Sequence, residues 1–241
     1  MTIRKSLTVI LLCLPFCALS QYTDYGAWAS FSVERKLVKG LTGEATVETR
    51  LGDYFSNASS IFTDLALTYK LHDKVRIGGV YRLGLRSQSG GYYLPRNRFS
   101  ADLMVRHSID DWKFGYRLRY QNNNSALASS EPGIQYKSGY RNKLSVSRKI
   151  MKGTWLKVQG EIFSSKINDL VQPTDYRLKL GVSKGVKKRH DVSLGLLYQA
   201  EIDNSDPDGE FIIYLGYSIE LKKKKKKKKP SDVRLDGKLT E

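Results

Sequence analysis

The sequence predicts an all-β fold: a transmembrane, antiparallel, up-and-down β-barrel of about 10–12 strands. Three observations predict it. Apolar and polar residues alternate with a period of two along most of the chain. The alternating segments run 11 to 15 residues, whereas soluble strands usually have ~5–6 and a tilted membrane-crossing strand needs ~9–11. Finally, the 241 residues carry only 40% hydrophobic content, and no stretch approaches the ~20 apolar residues of a spanning helix. A barrel that meets lipid with one face of each strand needs no more than that.

The chain begins as an exported one. Arg4 and Lys5 precede an apolar run from Leu7 to Leu19, and Ala18 and Ser20 supply small residues at the −3 and −1 positions of a cleavage site before Gln21. Residues 1–20 therefore read as a signal peptide. Lipidation at Cys17 is disfavoured by the bulky Pro15 and Phe16 just before it. Cys13 and Cys17 are the two cysteines of the sequence. The mature chain then has no disulfide, no thiol nucleophile and no cysteine metal ligand.

Residues 21–221 form the barrel domain of this reading. The segments fall near 25–38, 43–53, 58–71, 75–87, 97–108, 112–122, 136–149, 153–165, 174–185, 190–202 and 210–221. In the fourth, Val75, Ile77, Gly79, Tyr81, Leu83 and Leu85 share a face opposite Arg76, Arg82 and Arg86. In the sixth, Trp112, Phe114, Tyr116, Leu118 and Tyr120 oppose Lys113, Arg117 and Arg119. The last places Phe211, Ile213, Leu215, Tyr217 and Ile219 together.

Short connections at 38–42, 72–74, 109–111, 150–153 and 185–189 alternate with longer ones near 52–57, 87–96, 122–135, 165–173 and 203–209. Short periplasmic turns opposite longer outer loops are the outer-membrane pattern, which puts the C-terminus in the periplasm. Pro95, Pro132, Pro173 and Pro207 each fall in a different long loop, as expected of a residue that cannot donate to a ladder. Tyr92, Tyr93, Trp112, Tyr120, Tyr136, Tyr140, Trp155 and Tyr198 gather towards segment ends, where interfacial girdles would use them. Eleven is an odd count, and single-chain bacterial barrels normally have an even one. Ten or twelve strands are the expectation, through one missed or one misread segment.

The polar face holds the candidate site: Glu48, Arg50, Asp64, Arg76, Arg82, Arg86, Arg98, Asp102, Arg106, Arg117, Arg119, Arg141, Lys143, Glu161, Arg177, Lys179 and Glu201, with Glu44 and Lys157 beside them. Charges enclosed in a barrel must be paired or wet. They read as the lining of a lumen in which bases outnumber acids, either plugged by ion pairs or attractive to anions. No catalytic constellation, metal-ligand spacing or phosphate loop is legible, so no cofactor is expected and a non-enzyme is favoured. His72, His107 and His190 all fall beside short turns, on the side away from the outer leaflet. An outer-membrane enzyme acting on lipid or surface material, or a soluble periplasmic ligand-binding barrel, is the alternative.

Of the formal charge of +17, Arg4 and Lys5 account for +2, the segment from Lys222 onward for +7 and the body for +8. Residues 222–241, with lysines from Lys222 to Lys229, read as a disordered tail. Export argues against a nucleic-acid partner. The expected partners are outer-membrane lipid and, during insertion, the barrel-assembly machinery of a Gram-negative cell.

Five short motifs carry a resemblance: Gly26-Ala27-Trp28, Glu48-Thr49-Arg50, Tyr81-Arg82, Tyr116-Arg117-Leu118-Arg119-Tyr120 and Tyr214-Leu215-Gly216-Tyr217. In these the chain resembles the uncharacterised exported family called domain of unknown function 2490, over nearly all of Tyr25–Leu221. The resemblance implies an outer-membrane barrel of about this length and no established activity, so it assigns no catalytic residue. The poly-lysine tail departs from the family pattern.

Overall fold

The computed structural model describes residues 23–88, 91–124, 137–167, 170–202 and 209–222. The expected signal peptide, Pro132, Tyr136, Pro207 and the lysine-rich segment expected to be a disordered tail lie outside them. The described residues form eleven strands: β1 (Thr23–Val38), β2 (Leu41–Gly52), β3 (Asn57–Lys70), β4 (Val75–Ser87), β5 (Tyr93–Ile109), β6 (Trp112–Asn124), β7 (Lys137–Met151), β8 (Thr154–Ile167), β9 (Leu170–Lys187), β10 (His190–Glu201) and β11 (Gly209–Leu221). Each pairs with its sequence neighbour, and the ring closes between β1 and β11.

The strand count corrects the expectation of an even number. Every hairpin reverses the chain, so with eleven strands the first and last run the same way. The seam must then be parallel, and it is, in unbroken register from Thr23 opposite Gly209 to Arg35 opposite Leu221. The described chain therefore starts at the long-loop end of the barrel and leaves at the short-turn end.

Two proline placements are also corrected. Pro95 lies within β5 opposite Leu85, and Pro173 lies within β9 opposite Ser164, where the β8–β9 register shifts. A bulge is one of the few places where a ladder tolerates a residue without an N–H. Both strands run further towards the long-loop end than their alternation suggests, so the expected loop at 165–173 shrinks to the connection between Ile167 and Leu170. At the other end the turns are tight. Gly40, Asp110, Gly153 and Arg189 take φ of 83°, 49°, 75° and 74°.

Burial is inverted relative to a water-soluble domain. Leu65, Leu83, Leu196 and Leu215 point outward and are more than half exposed, while Asp102, Arg119, Arg141 and Glu161 are buried inside. Among the described residues the buried apolar set is small: a cluster of Trp28, Leu197, Ile212 and Tyr214, with Phe62 and Ala200 apart from it. A continuous apolar exterior of this extent belongs in lipid, not in water.

Outward aromatics bracket that exterior at two levels. Near the long-loop end, Tyr25 stacks on Phe211 with centroids 6.2 Å apart, Tyr198 meets Phe211 at 4.7 Å and Tyr120 meets Tyr140 at 5.4 Å. Towards the short turns, Phe31 stacks on Tyr217 at 6.0 Å and Trp112 on Phe114 at 6.4 Å. Tyr25 and Phe31 are six residues apart on one strand, roughly 20 Å at ~3.4 Å per residue. Trp155 departs from the girdle expectation. It shares the inward parity of Lys157 and Glu161, and the Lys113 ammonium sits 3.6 Å from its ring centroid.

Candidate functional site

Strand register decides which inward side chains meet. Arg117 on β6, Lys143 on β7, Glu161 on β8 and Arg177 on β9 are consecutive partners across the sheet, so four charges form one row around the wall. One row towards the long loops lie Asp102, Arg119, Arg141 and Phe163. Strand spacing of ~4.8 Å brings long side chains in such rows within reach of one another.

Four inward carboxylates, Glu48, Asp64, Asp102 and Glu161, are each shared with guanidinium groups. Glu161, 6% exposed, accepts from Arg117 at 2.7 Å and from both Arg141 donors at 3.1 and 2.9 Å, with Arg177 3.8 Å away. Arg119 forks onto Asp102 at 2.6 and 2.7 Å, and Arg82 onto Asp64 at the same two distances. Arg50 donates to Glu48 at 2.7 Å. Two-bond Arg–carboxylate forks fix orientation as well as charge.

Aromatic rings cover the guanidinium faces. Arg50 lies 3.7 Å from the Trp28 ring centroid, Arg82 3.4 Å from that of Phe62 and Arg141 4.4 Å from that of Phe163. Lys179 lies 3.3 Å from the Tyr214 ring centroid. Such stacking is strongest where the cation is desolvated. The Tyr214 ring is admitted by glycine: a Cβ at Gly181 would collide with its hydroxyl, and one at Gly195 with the Leu180 carbonyl and the ring.

These side chains divide the interior into three chambers. One of about 400 Å³ at the long-loop mouth is lined by Arg86 and Arg98, with Asp24 and Glu210 on the β1–β11 side. A central one of about 310 Å³ is walled by the ion-paired groups. A third, of about 320 Å³ and nearest the short turns, is lined by Arg106, Lys113 and Lys157. Trp28, Arg50 and Arg82 border both the first and the second. Arg117, Lys143 and Gln159 border both the second and the third.

Most of the charges singled out in the sequence border these chambers. Glu48, Arg50, Asp64, Arg82, Arg117, Arg119, Arg141, Lys143, Glu161, Arg177 and Lys179 line the centre. Arg86, Arg98 and Arg106 line the ends, and Asp102 is buried against Arg119. Arg76 and Glu201 line none of the three. Arg76 keeps the inward parity near the short turns, and Glu201 is exposed at the end of β10. Trp28 and Tyr214 belong to the short motifs of the sequence, but the inward placement of their rings and of those of Phe62 and Phe163 was not expected. Their signal was available: each has the parity of the charged face, opposite to the lipid-facing set.

His72 and His190 stand apart from this interior network, while His107 is among the residues that border the third chamber. His190 Nδ1 meets the Tyr217 hydroxyl at 2.7 Å, and His72 Nδ1 accepts the Lys74 backbone N–H at 3.4 Å. Among the described residues no group of His, Cys, Asp and Glu is arranged to hold a metal ion.

A family described as protein of unknown function (DUF2490) matches residues 25–210 of the chain. No curated protein matches it. Among solved structures, the β-domain of the Bordetella autotransporter BrkA is similar at 14% identity and a TM-score of 0.44, over 76% of this chain and 84% of that one. An anion-selective porin from Comamonas acidovorans is similar at 13% identity and a TM-score of 0.38, over 77% of this chain. The chain spans about half the length of that porin, 53%.

Proposed function

The chain belongs to the protein family of unknown function DUF2490, and we propose that it is an outer-membrane barrel whose basic interior forms a narrow, side-chain-gated passage favouring small anions. In this reading the signal peptide directs export from the cytoplasm of a Gram-negative cell. The barrel-assembly machinery inserts the chain, its outer wall faces lipid, and the short turns with the C-terminus face the periplasm.

The observation that carries the proposal is the sequence of three chambers along one axis, each bordered by the residues of the next. Cations in excess of carboxylates line the whole path. A plug made for stability alone would pair its charges throughout, because each unpaired charge in a low-dielectric interior is costly. Here the mid-height carboxylates Glu48, Asp64, Asp102 and Glu161 are all paired. Lys143 and Lys179 beside them face the central chamber without an ion pair among the described residues, and both ends keep free cations beside space for water. A passage so narrow limits cargo to solutes smaller than those of a general porin. The reading requires no catalytic group.

The test is conductance of the refolded barrel in planar bilayers, with the reversal potential measured across a salt gradient. Small, anion-selective current supports the passage. Silence over long recordings of folded protein refutes it and leaves a structural barrel.

A further inference from the structure

We infer that the chamber nearest the short turns is a binding site for a soluble, multiply charged oxyanion of the phosphate type. The site goes beyond the passage reading and does not need it, because a barrel that conducts nothing can still hold a ligand in an open chamber.

The register builds the site. Lys113, Ser147 and Lys157 are consecutive partners across β6, β7 and β8. In the next row Arg106, Gly115, Ser145 and Gln159 are consecutive across β5 to β8, and Arg117 and Lys143 stand side by side in the row beyond. Small residues thus form the floor and cations the rim. Gly115 and Ser145 are so close that a Cβ on Gly115 would come within 2.6 Å of the Ser145 hydroxyl oxygen, which instead donates to the Gly115 carbonyl at 3.2 Å. The hollow that results, about 320 Å³, has the volume of about ten waters at ~30 Å³ each. It falls at the small end of ligand pockets, which span ~300–1,000 Å³.

The charge balance of this chamber is unlike that of the centre. Five cations border it, Arg106, Lys113, Arg117, Lys143 and Lys157, and no carboxylate does. Glu161, just beyond, is already shared among three arginines. Glu34 and Glu44 act on Arg106 from β1 and β2 but do not line the hollow. The Arg117 Nε is buried without a partner. Like charges held this close repel, and a dianion among them would relieve that repulsion while taking up the free donors. A guanidinium, ammonium groups and the Ser147 hydroxyl are the kinds of donor that phosphate oxygens take.

The route of entry sets the ligand class. Arg106, Lys113 and Lys157 are exposed, so the chamber opens at the short-turn mouth. The ladders from β5 to β8 that form its wall run without a lateral opening. A lipid headgroup in the surrounding membrane has no path through them, whereas a soluble phosphate compound reaches the site from the aqueous side.

The test is calorimetric titration of the full barrel, folded in a phosphate-free maltoside detergent, with inorganic pyrophosphate at low ionic strength. The expected result is saturable one-to-one binding. Lys113→Gln with Lys157→Gln should weaken it at least tenfold, and Arg86→Gln at the opposite mouth should leave it unchanged. Ser145→Leu keeps every charge but fills the floor, and it too should weaken binding at least tenfold. Heat-modifiable gel mobility verifies that each variant is folded. Absence of saturable binding overturns the site. Unchanged binding in folded Ser145→Leu overturns it as well, since attraction would then be diffuse. Binding that appears only when phosphatidylglycerol is added overturns the soluble class and assigns the donors to lipid. None of these outcomes depends on current through the barrel.

Discussion

Replacing Glu161 with Gln removes one negative charge from the point where three guanidinium groups converge. The amide oxygen can still accept one hydrogen bond from Arg141 or Arg117, at 2.9 and 2.7 Å in the native barrel, but it no longer offsets their charge. The side chains are mostly shielded: Glu161 is 6% exposed, Arg141 9% and Arg117 17%. Breaking a buried pair by removing one partner costs ~3–5 kcal/mol. Lumen water softens the penalty, so the lower end, about 3 kcal/mol, is expected. With a urea m-value of ~3 kcal/mol/M, the unfolding midpoint falls by about 1 M. The assay is urea unfolding of the detergent-folded barrel, followed by tryptophan fluorescence and by the loss of heat-modifiable mobility. The double variant Glu161→Leu with Arg141→Leu should recover part of the loss, since it removes the uncompensated charge as well. A midpoint for Glu161→Gln within 0.2 M of the native one, a change of ~0.6 kcal/mol at that m-value, would show that the ring is hydrated and mobile, and the argument for a closed mid-height constriction would fail.

Leu215→Arg places a charge in the middle of the outward band and should cost ~2–4 kcal/mol of stability in lipid; a neutral effect would mean that this face meets water. Trp28→Ala removes the ring that borders both the outer and the central chamber, and single-channel current should rise at least twofold; equal current in native and variant channels would move the constriction elsewhere. Gly181→Ala puts a methyl group where the Tyr214 hydroxyl lies, so the yield of folded barrel should drop, and Tyr214→Phe in the same chain should restore part of it. Asp73→Asn, in the exposed turn beside Lys70 at 2.5 Å, should leave the urea midpoint in place, because exposed pairs contribute little.

The strands were legible because lipid and lumen impose opposite demands on alternate residues. All eleven predicted segments lie within a few residues of the observed strands, and the charges chosen from the polar face lie inside wherever the chambers reach. The closure was not legible. Alternation reports which face a residue takes but not which strand lies next to it, so the parallel seam of β1 and β11 left no periodic trace. Pro95 and Pro173 misled for a related reason. A proline tells that a ladder bond is missing but not whether the strand ends there or bulges and continues. The inward rings were passed over because Phe62, Trp28 and Tyr214 interrupt a polar face, and an aromatic residue there looks like an irregularity until the cation above it, Arg82, Arg50 or Lys179, is seen. Trp155 is the converse case, a strand-end aromatic that belongs to the lumen.

The pattern of pairing has a further consequence for where water stands in the barrel. At mid-height Glu48, Asp64, Asp102 and Glu161 are each matched by at least one guanidinium, and stacked rings cover the faces of Arg50, Arg82 and Arg141. Such groups have little need of water. At the short-turn end, Arg106, Lys113 and Lys157 have no carboxylate among the residues that line their chamber. At the long-loop mouth, Arg86, Arg96 and Arg98 share theirs with Asp24, Asp53 and Glu210 without an ion pair to them. An ammonium or guanidinium without a partner needs water or an anion. The barrel interior is therefore wet at both mouths and driest in the middle. An anion moving along it exchanges its hydration for cationic donors at one end, crosses a short stretch where those donors are already taken, and meets free donors again at the other. The barrier to passage sits at the paired ring, and the affinity sits in the unpaired chamber below it. Substitutions in the two places should then separate: those at Glu161 and Trp28 change current more than pyrophosphate affinity, and those at Lys113 and Lys157 change affinity more than current.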